Sequence, residues 1–251
     1  GEAWYPRGTA SAWWQKDSKM NESNSNLKTV MDFDLTFTCQ KAFGEVCSSN
    51  EGSEAGLFKI YEVIAQDFLF PNPNNVLTFL DNHDLGRFMQ KGETDLRRYK
   101  QAIAFLLTTR GIPQIYYGTE ILMTGTKAEG DGVIRTDFPG GWAGDPKNAF
   151  TPEGRTDLQN EAWNYMKKIL NWRKHCDAVK EGKLIHYTPD GTGCYVYARV
   201  KDNKTVLVLM NGTDKNQTLD MNRFQEVVKD YKSGKDIITD TTVAIDTPVQ
   251  I

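Results

Sequence analysis

Residues 81–87 read Asp-Asn-His-Asp-Leu-Gly-Arg and follow directly on the mostly apolar run "VLTFL" (76–80). Two carboxylates, an amide, an imidazole and a guanidinium thus sit where a strand ends. In folds built of parallel βα units, polar residues at the C-terminal ends of strands face the ligand crevice. Two other short runs end in the same way: "GEAW" (1–4) supplies Glu2 and Trp4, and "YYGTE" (116–120) supplies Tyr117 and Glu120. Carboxyl groups beside aromatic rings suit sugar chemistry. One carboxyl protonates a glycosidic oxygen, another stabilises an oxocarbenium-like state, and Trp or Tyr faces pack on pyranose rings. An Asn-His-Asp triplet alone is more often a turn or a helix cap, and its company at the other strand ends is what favours function.

The elements that would position these residues alternate. "TVMDFDL" (29–35), "NVLTFLD" (75–81) and "IPQIYYG" (112–118) read as strands. Between them, 54–68 places Leu57, Ile60, Tyr61 and Ile64 at helical spacing. Residues 94–111 do the same with Leu96, Tyr99, Ile103, Leu106 and Leu107, with Thr94 as the expected cap and Gly111 at the expected stop. This order predicts an α/β fold with a parallel sheet covered by helices. A polar stretch, roughly 124–160, lacks clear periodicity and is too long for a simple connector, so it is expected either to be functional itself or to cover a site. Within it, Trp142 lines a subsite or anchors the loop. Helical spacing returns over 160–176, with Trp163, Met166, Ile169 and Leu170 on the apolar side. After about residue 178 short strands take over: 193–200 and 205–212 form a hairpin around "KDNK", Tyr195 and Tyr197 share a strand face, and 217–221 and 241–251 continue as strands.

The totals exclude several classes. A net charge of −3 with interspersed signs gives no electrostatic case for nucleic acid or an anionic membrane surface. No apolar stretch approaches the length of a membrane span. Three histidines and four cysteines without ligand spacing argue against a metal centre of those residues. Cys39 and Cys47 are placed to close a small loop, but buried or free thiols are the expected state.

The motifs resemble those of the α-amylase superfamily of glycoside hydrolases. "FLDNHDLGRF" (79–88) is similar to its seventh-strand motif, "GIPQIYYGTE" (111–120) to its eighth-strand segment and "GEAW" to its fifth. "IRTDFPGGW" (134–142) is similar to the segment after the eighth strand in the neopullulanase and cyclomaltodextrinase branch. The resemblance implies the C-terminal half of a (β/α)8 barrel, strands five to eight, over 1–177, followed by an antiparallel β-sandwich over 178–251. It implies Glu2 as general acid/base and Asp84 as the carboxylate that binds sugar hydroxyls and stabilises the transition state. His83, Asn82, Arg87 and Trp4 are the implied substrate-binding residues.

It further implies a retaining hydrolase cutting α-1,4 links in maltodextrins, cyclodextrins or pullulan. The enzyme would need no organic cofactor, with calcium expected only from ligands in other segments, and its location would be periplasmic or extracellular. A transglycosylase or isomerase on the same scaffold and a non-catalytic α-glucan-binding protein are the alternatives. The family's nucleophile is an aspartate at the end of the fourth strand, with an arginine two residues before it, and residues 1–251 contain no such segment. Retaining hydrolysis needs two carboxyls about 5 Å apart, so this chain alone is expected to be inactive. A half barrel also leaves open sheet edges, which a homodimer or the rest of a longer enzyme would cover.

Overall fold

A computed structural model of the protein describes residues 16–17, 26–45, 55–189 and 191–251. Glu2, Trp4 and Cys47 lie outside the described residues.

The first predicted strand survives as one bridge. Met31 pairs in parallel with Leu77, and the chain then turns into helix α1, Phe33–Ala42. Asp32 is the reason: it caps this helix, its Oδ1 accepting from Leu35 N at 3.2 Å. Asp32 and Asp34 are therefore a cap and a first-turn residue, not alternating strand residues. Helix α2, Leu57–Ala65, buries Leu57, Ile60, Val63 and Ile64, while Tyr61 sits at the edge of that face. Strand β1, Leu77–Phe79, leads to helix α3, Leu96–Thr108, which Asp95 caps in place of the expected Thr94. All five residues predicted for the apolar face of α3 are buried. Gly111 then lets the chain turn at φ +99° into strand β2, Ile112–Gln114. β1 and β2 are parallel, with Leu77 opposite Ile112 and Phe79 opposite Gln114. Both are shorter than the sequence pattern suggests, since regular strand ends at Phe79 and at Gln114, ahead of the turns at His83 and Tyr117.

The polar stretch folds as turns around a short helix, α4, Asp131–Ile134. Helix α5, Asp157–Lys174, starts with a reciprocal cap between Thr156 and Gln159. It buries Ala162, Met166 and Ile169, and Arg155 stacks over the half-buried Trp163 ring at 4.2 Å. After helix α6, Asp177–Glu181, an antiparallel sheet forms from β3 (Lys183–Tyr187), β4 (Cys194–Lys201) and β5 (Lys204–Asn211). The β4–β5 hairpin turns at Asp202, whose φ is +52°. β6 (Thr218–Leu219), helix α7 (Gln225–Val228), β7 (Ser233–Lys235), β8 (Thr242–Ala244) and β9 (Val249–Gln250) complete the chain. β6 pairs with β9 and β7 with β8, both antiparallel.

β4 joins the two parts of the chain because both of its faces are buried. Cys194, Val196 and Ala198 pack with Leu219, Met221, Phe224, Val227, Val228 and Val249, forming the core of the C-terminal region. On the opposite face, as strand alternation requires, Tyr195 and Tyr197 pack into the cluster formed by α1, α2, α3 and α5. Tyr197 Oη and Thr108 Oγ1 lie 2.5 Å apart. Arg199, also on this face, donates to the carbonyls of Thr109 (2.5 Å) and Gly182 (2.7 Å) and to Asn74 Oδ1 (3.1 Å). Burial lowers its pKa to about 10. The two tyrosines are thus wholly internal and offer no surface to a glucan.

Candidate functional site

The segment after β1 is a tight, cross-braced loop. Asp81 is buried and closes it: Phe88 N donates to its Oδ2 at 2.9 Å, and Thr119 Oγ1 to both carboxylate oxygens at 3.1 Å. Burial raises the Asp81 pKa to about 6, against the opposing pull of these hydrogen bonds and of Arg87. Asn82 turns the chain, its Oδ1 accepting from Asp84 N at 2.8 Å and Leu85 N at 2.9 Å. The outcome is that His83 and Asp84 stand out from a fixed base. Their side chains are 63% and 58% exposed, and His83 Nε2 lies 3.2 Å from Asp84 Oδ2.

Arg87 points the other way. Its Nε donates to Ile134 O at 3.1 Å, its Nη1 to Tyr117 O, and its guanidinium lies 4.3 and 4.7 Å from the ring centroids of Tyr116 and Tyr117. The two tyrosines therefore share one cation and are not split to opposite sides as strand alternation would have it; the strand has already ended at Gln114. Glu120 follows in a 3-10 turn, its carboxyl half-buried, its pKa raised by that burial, and its Oε2 without a hydrogen-bond partner.

The 124–160 stretch does cover this loop. Arg135, just after α4, donates from Nε to His83 O at 3.0 Å and from Nη2 to Asp84 Oδ1 at 3.2 Å and Asp131 Oδ2 at 3.1 Å. Tyr117 Oη donates to Thr136 O at 2.7 Å. Further along, Trp142 is 73% exposed, which rules out its role as a buried loop anchor.

Of the residues singled out from the sequence, His83 and Asp84 form an accessible pair. Asn82 and Arg87, expected to contact substrate, are buried; Asn82 Oδ1 and Arg87 Nε and Nη1 bond to backbone atoms and brace the loop, while Arg87 Nη2 makes no hydrogen bond. Glu2 and Trp4 fall outside the described residues. Sequence reasoning missed Arg135 and Thr119 as partners of the two aspartates, although both lie inside quoted motifs. Among the described residues no group of three or more His, Cys, Asp or Glu side chains could hold a metal ion. No described helix is long and apolar enough to cross a membrane. Cys39 is free and buried, its thiol pKa pushed up by burial and by the charge of Asp32.

The family model for the cyclo-malto-dextrinase C-terminal domain matches residues 184–251. A cyclomaltodextrin glucanotransferase of Thermoanaerobacterium thermosulfurigenes is 31% identical over 191 residues, 76% of this chain and 23% of its own length. An alpha-amylase of Niallia circulans is 28% identical over 235 residues, 90% of this chain and 39% of its own length. The crystal structure of an alpha-amylase from Geobacillus thermoleovorans, complexed with acarbose, superposes with a TM-score of 0.67 at 23% identity, covering 90% of this chain and 46% of that one. The chain belongs to the α-amylase family and carries a C-terminal domain of the cyclomaltodextrinase type. It spans 23% and 39% of the length of the two curated relatives described.

Proposed function

We propose that the chain forms part of a retaining glycoside hydrolase acting on α-1,4-glucosidic bonds in maltodextrins, cyclodextrins or pullulan. The observation that carries this reading is the exposed His83–Asp84 pair, held by Arg135 on a loop fixed from below by Asp81 and Asn82. Asp84 is positioned to accept sugar hydroxyls and to place negative charge beside an oxocarbenium-like transition state. His83 Nδ1 is left for a further sugar hydroxyl, since Nε2 faces Asp84. Glu2 serves as general acid/base. The carboxylate nucleophile comes from a segment outside residues 1–251, so the chain on its own binds glucan without cleaving it. Trp142 offers its exposed face to a sugar ring beyond the cleaved bond.

The barrel half, strands five to eight over 1–177, belongs to the same proposal. Its support is the parallel order Met31, β1, β2. Among the described residues β2 pairs only with β1, which leaves an edge for a strand from elsewhere in a longer chain or from a second copy. A periplasmic or extracellular location accords with a polysaccharide substrate. A transglycosylase is the second reading, favoured by the likeness to the cyclomaltodextrin glucanotransferase. Product analysis of the full-length protein on γ-cyclodextrin and maltoheptaose separates them. Linear hydrolysis products in excess of coupled products support the hydrolase, and dominant coupling or cyclisation supports the transferase.

A further inference from the structure

A cavity of about 470 Å³ lies far from the His83–Asp84 rim, between α2, the 67–74 loop, the end of α6 and β3. Asp81 follows the C-terminal end of β1, whereas Arg110, which lines this cavity, precedes the N-terminal end of β2. The two features therefore sit at opposite ends of the parallel strands. The volume falls within the range of roughly 300–1,000 Å³ common for small-molecule sites.

The hydrogen-bonding capacity of the lining is lopsided. Its described acceptors are engaged: Asp67 takes Arg110 Nε at 2.7 Å and Nη2 at 2.6 Å, Glu181 pairs with Lys201, and Asn74 Oδ1 takes Arg199 Nη2 at 3.1 Å. Glu181 thus has its own cation, while Asp67 shares Arg110 with Asp32. The donors are not all engaged. Arg110 is only 1% exposed, yet its Nη1 makes no hydrogen bond. Its other nitrogens are held by Asp67 and Asp32, which fixes the guanidinium in place and raises its pKa even though burial works against the charge. Lys183 is exposed on β3, and its ammonium has no ion pair among the described residues. His186 meets the Tyr195 hydroxyl through Nδ1 at 3.0 Å, and with that nitrogen accepting, Nε2 carries a proton to donate.

We infer that this cavity is an anion site for a phosphate group, bound by Arg110, Lys183 and His186. Three donor heads, one from the turn before β2 and two from β3, match the several acceptor oxygens of a phosphate better than the two of a carboxylate. A fixed guanidinium with one free edge supplies a directional anchor, and Lys183 supplies a mobile point charge. The inference does not depend on the catalytic reading, because no residue of the His83–Asp84 loop takes part.

The test is a titration of the full 15N-labelled chain, read at the His186 imidazole by NMR, with inorganic phosphate, glucose 6-phosphate, acetate and maltose as separate arms. The chain has three histidines, so His186→Gln assigns the resonance. The expected result is a saturable His186 shift with phosphate, weakened at least fivefold by Lys183→Gln and unchanged by Lys229→Gln. Both lysines are exposed, so neither variant threatens the fold. Glucose 6-phosphate binding tenfold tighter than phosphate identifies a sugar phosphate as the ligand, and equal binding identifies the free anion. A shift that stays linear in phosphate, that Lys183→Gln leaves intact, or that only acetate or maltose produces overturns the inference.

Discussion

Arg135 Nη2 donates to Asp84 Oδ1 at 3.2 Å while Arg135 Nε donates to the His83 carbonyl at 3.0 Å. One guanidinium from the covering segment therefore fixes both the side chain and the backbone of the exposed pair. The contacts are solvent-facing, so their worth to stability is about 1 kcal/mol at most, whereas misplacing a reacting group by an ångström can cost about 100-fold in rate. Arg135→Met in the full-length protein should lower kcat by roughly tenfold or more while leaving the melting temperature nearly unchanged. A variant with full kcat removes Arg135 from the account.

Asp81 gives a pH signature. Its pKa is raised from the ordinary 3.8 to about 6 in the fold, chiefly by burial. Between those values the native chain binds more protons than the unfolded one, so this group's contribution is fully present below the unfolded value and is lost as pH rises through about 6. At about 1.4 kcal/mol per pKa unit the loss is on the order of 2–3 kcal/mol. Asp81→Asn cannot ionise and keeps an acceptor for Phe88 N or Thr119. Urea denaturation from pH 4 to 7 should show the variant gaining on the parent chain across that window, then running parallel to it. Parallel curves throughout would mean that Asp81 ionises as freely in the fold as outside it.

The helices were the most legible part of the sequence. For α3 the apolar spacing alone named Leu96, Tyr99, Ile103, Leu106 and Leu107, because a long amphipathic face leaves a repeated signal. The strand over 29–35 falls short because extended chain lasts only to the Met31 bridge, and from Phe33 the residues belong to a helix that Asp32 caps. At the site, polar residues were legible by type but not by direction. Asp-Asn-His-Asp announced a functional loop, yet which members turn inward depends on Thr119, Phe88 and Arg135, which adjacency in sequence does not reveal. The join between the two parts of the chain was hidden for the same reason: Tyr195 and Tyr197 read as a strand face, and only packing shows what covers it.

That join makes its own prediction. Arg199 is buried, and replacing it leaves the Thr109 and Gly182 carbonyls and Asn74 without their donor. Arg199→Met should cost about 3 kcal/mol or more, and Tyr197→Phe about 1 kcal/mol, since Thr108 keeps its bond to Ala104 O. Both parts should still melt in one calorimetric transition. Two separated transitions in the parent chain would contradict the shared core.

Gly111 is required where α3 hands over to β2. An added Cβ would sit 2.6 Å from the Val76 carbonyl oxygen at a φ of +99°. Backbone, not a movable side chain, is the obstacle, so Gly111→Ala should destabilise the chain by about 2 kcal/mol or more. Equilibrium unfolding with a midpoint equal to the parent's would show that the turn relaxes freely.

The central claim is that Asp84 acts on the sugar at the bond being cleaved. Its most direct measurement is turnover of maltoheptaose by the full-length protein carrying Asp84→Asn, with glucan binding followed in parallel by calorimetry. The account predicts a loss of kcat of about 1,000-fold or more, with binding retained and the fold intact. Undiminished turnover in a folded Asp84→Asn protein would contradict it.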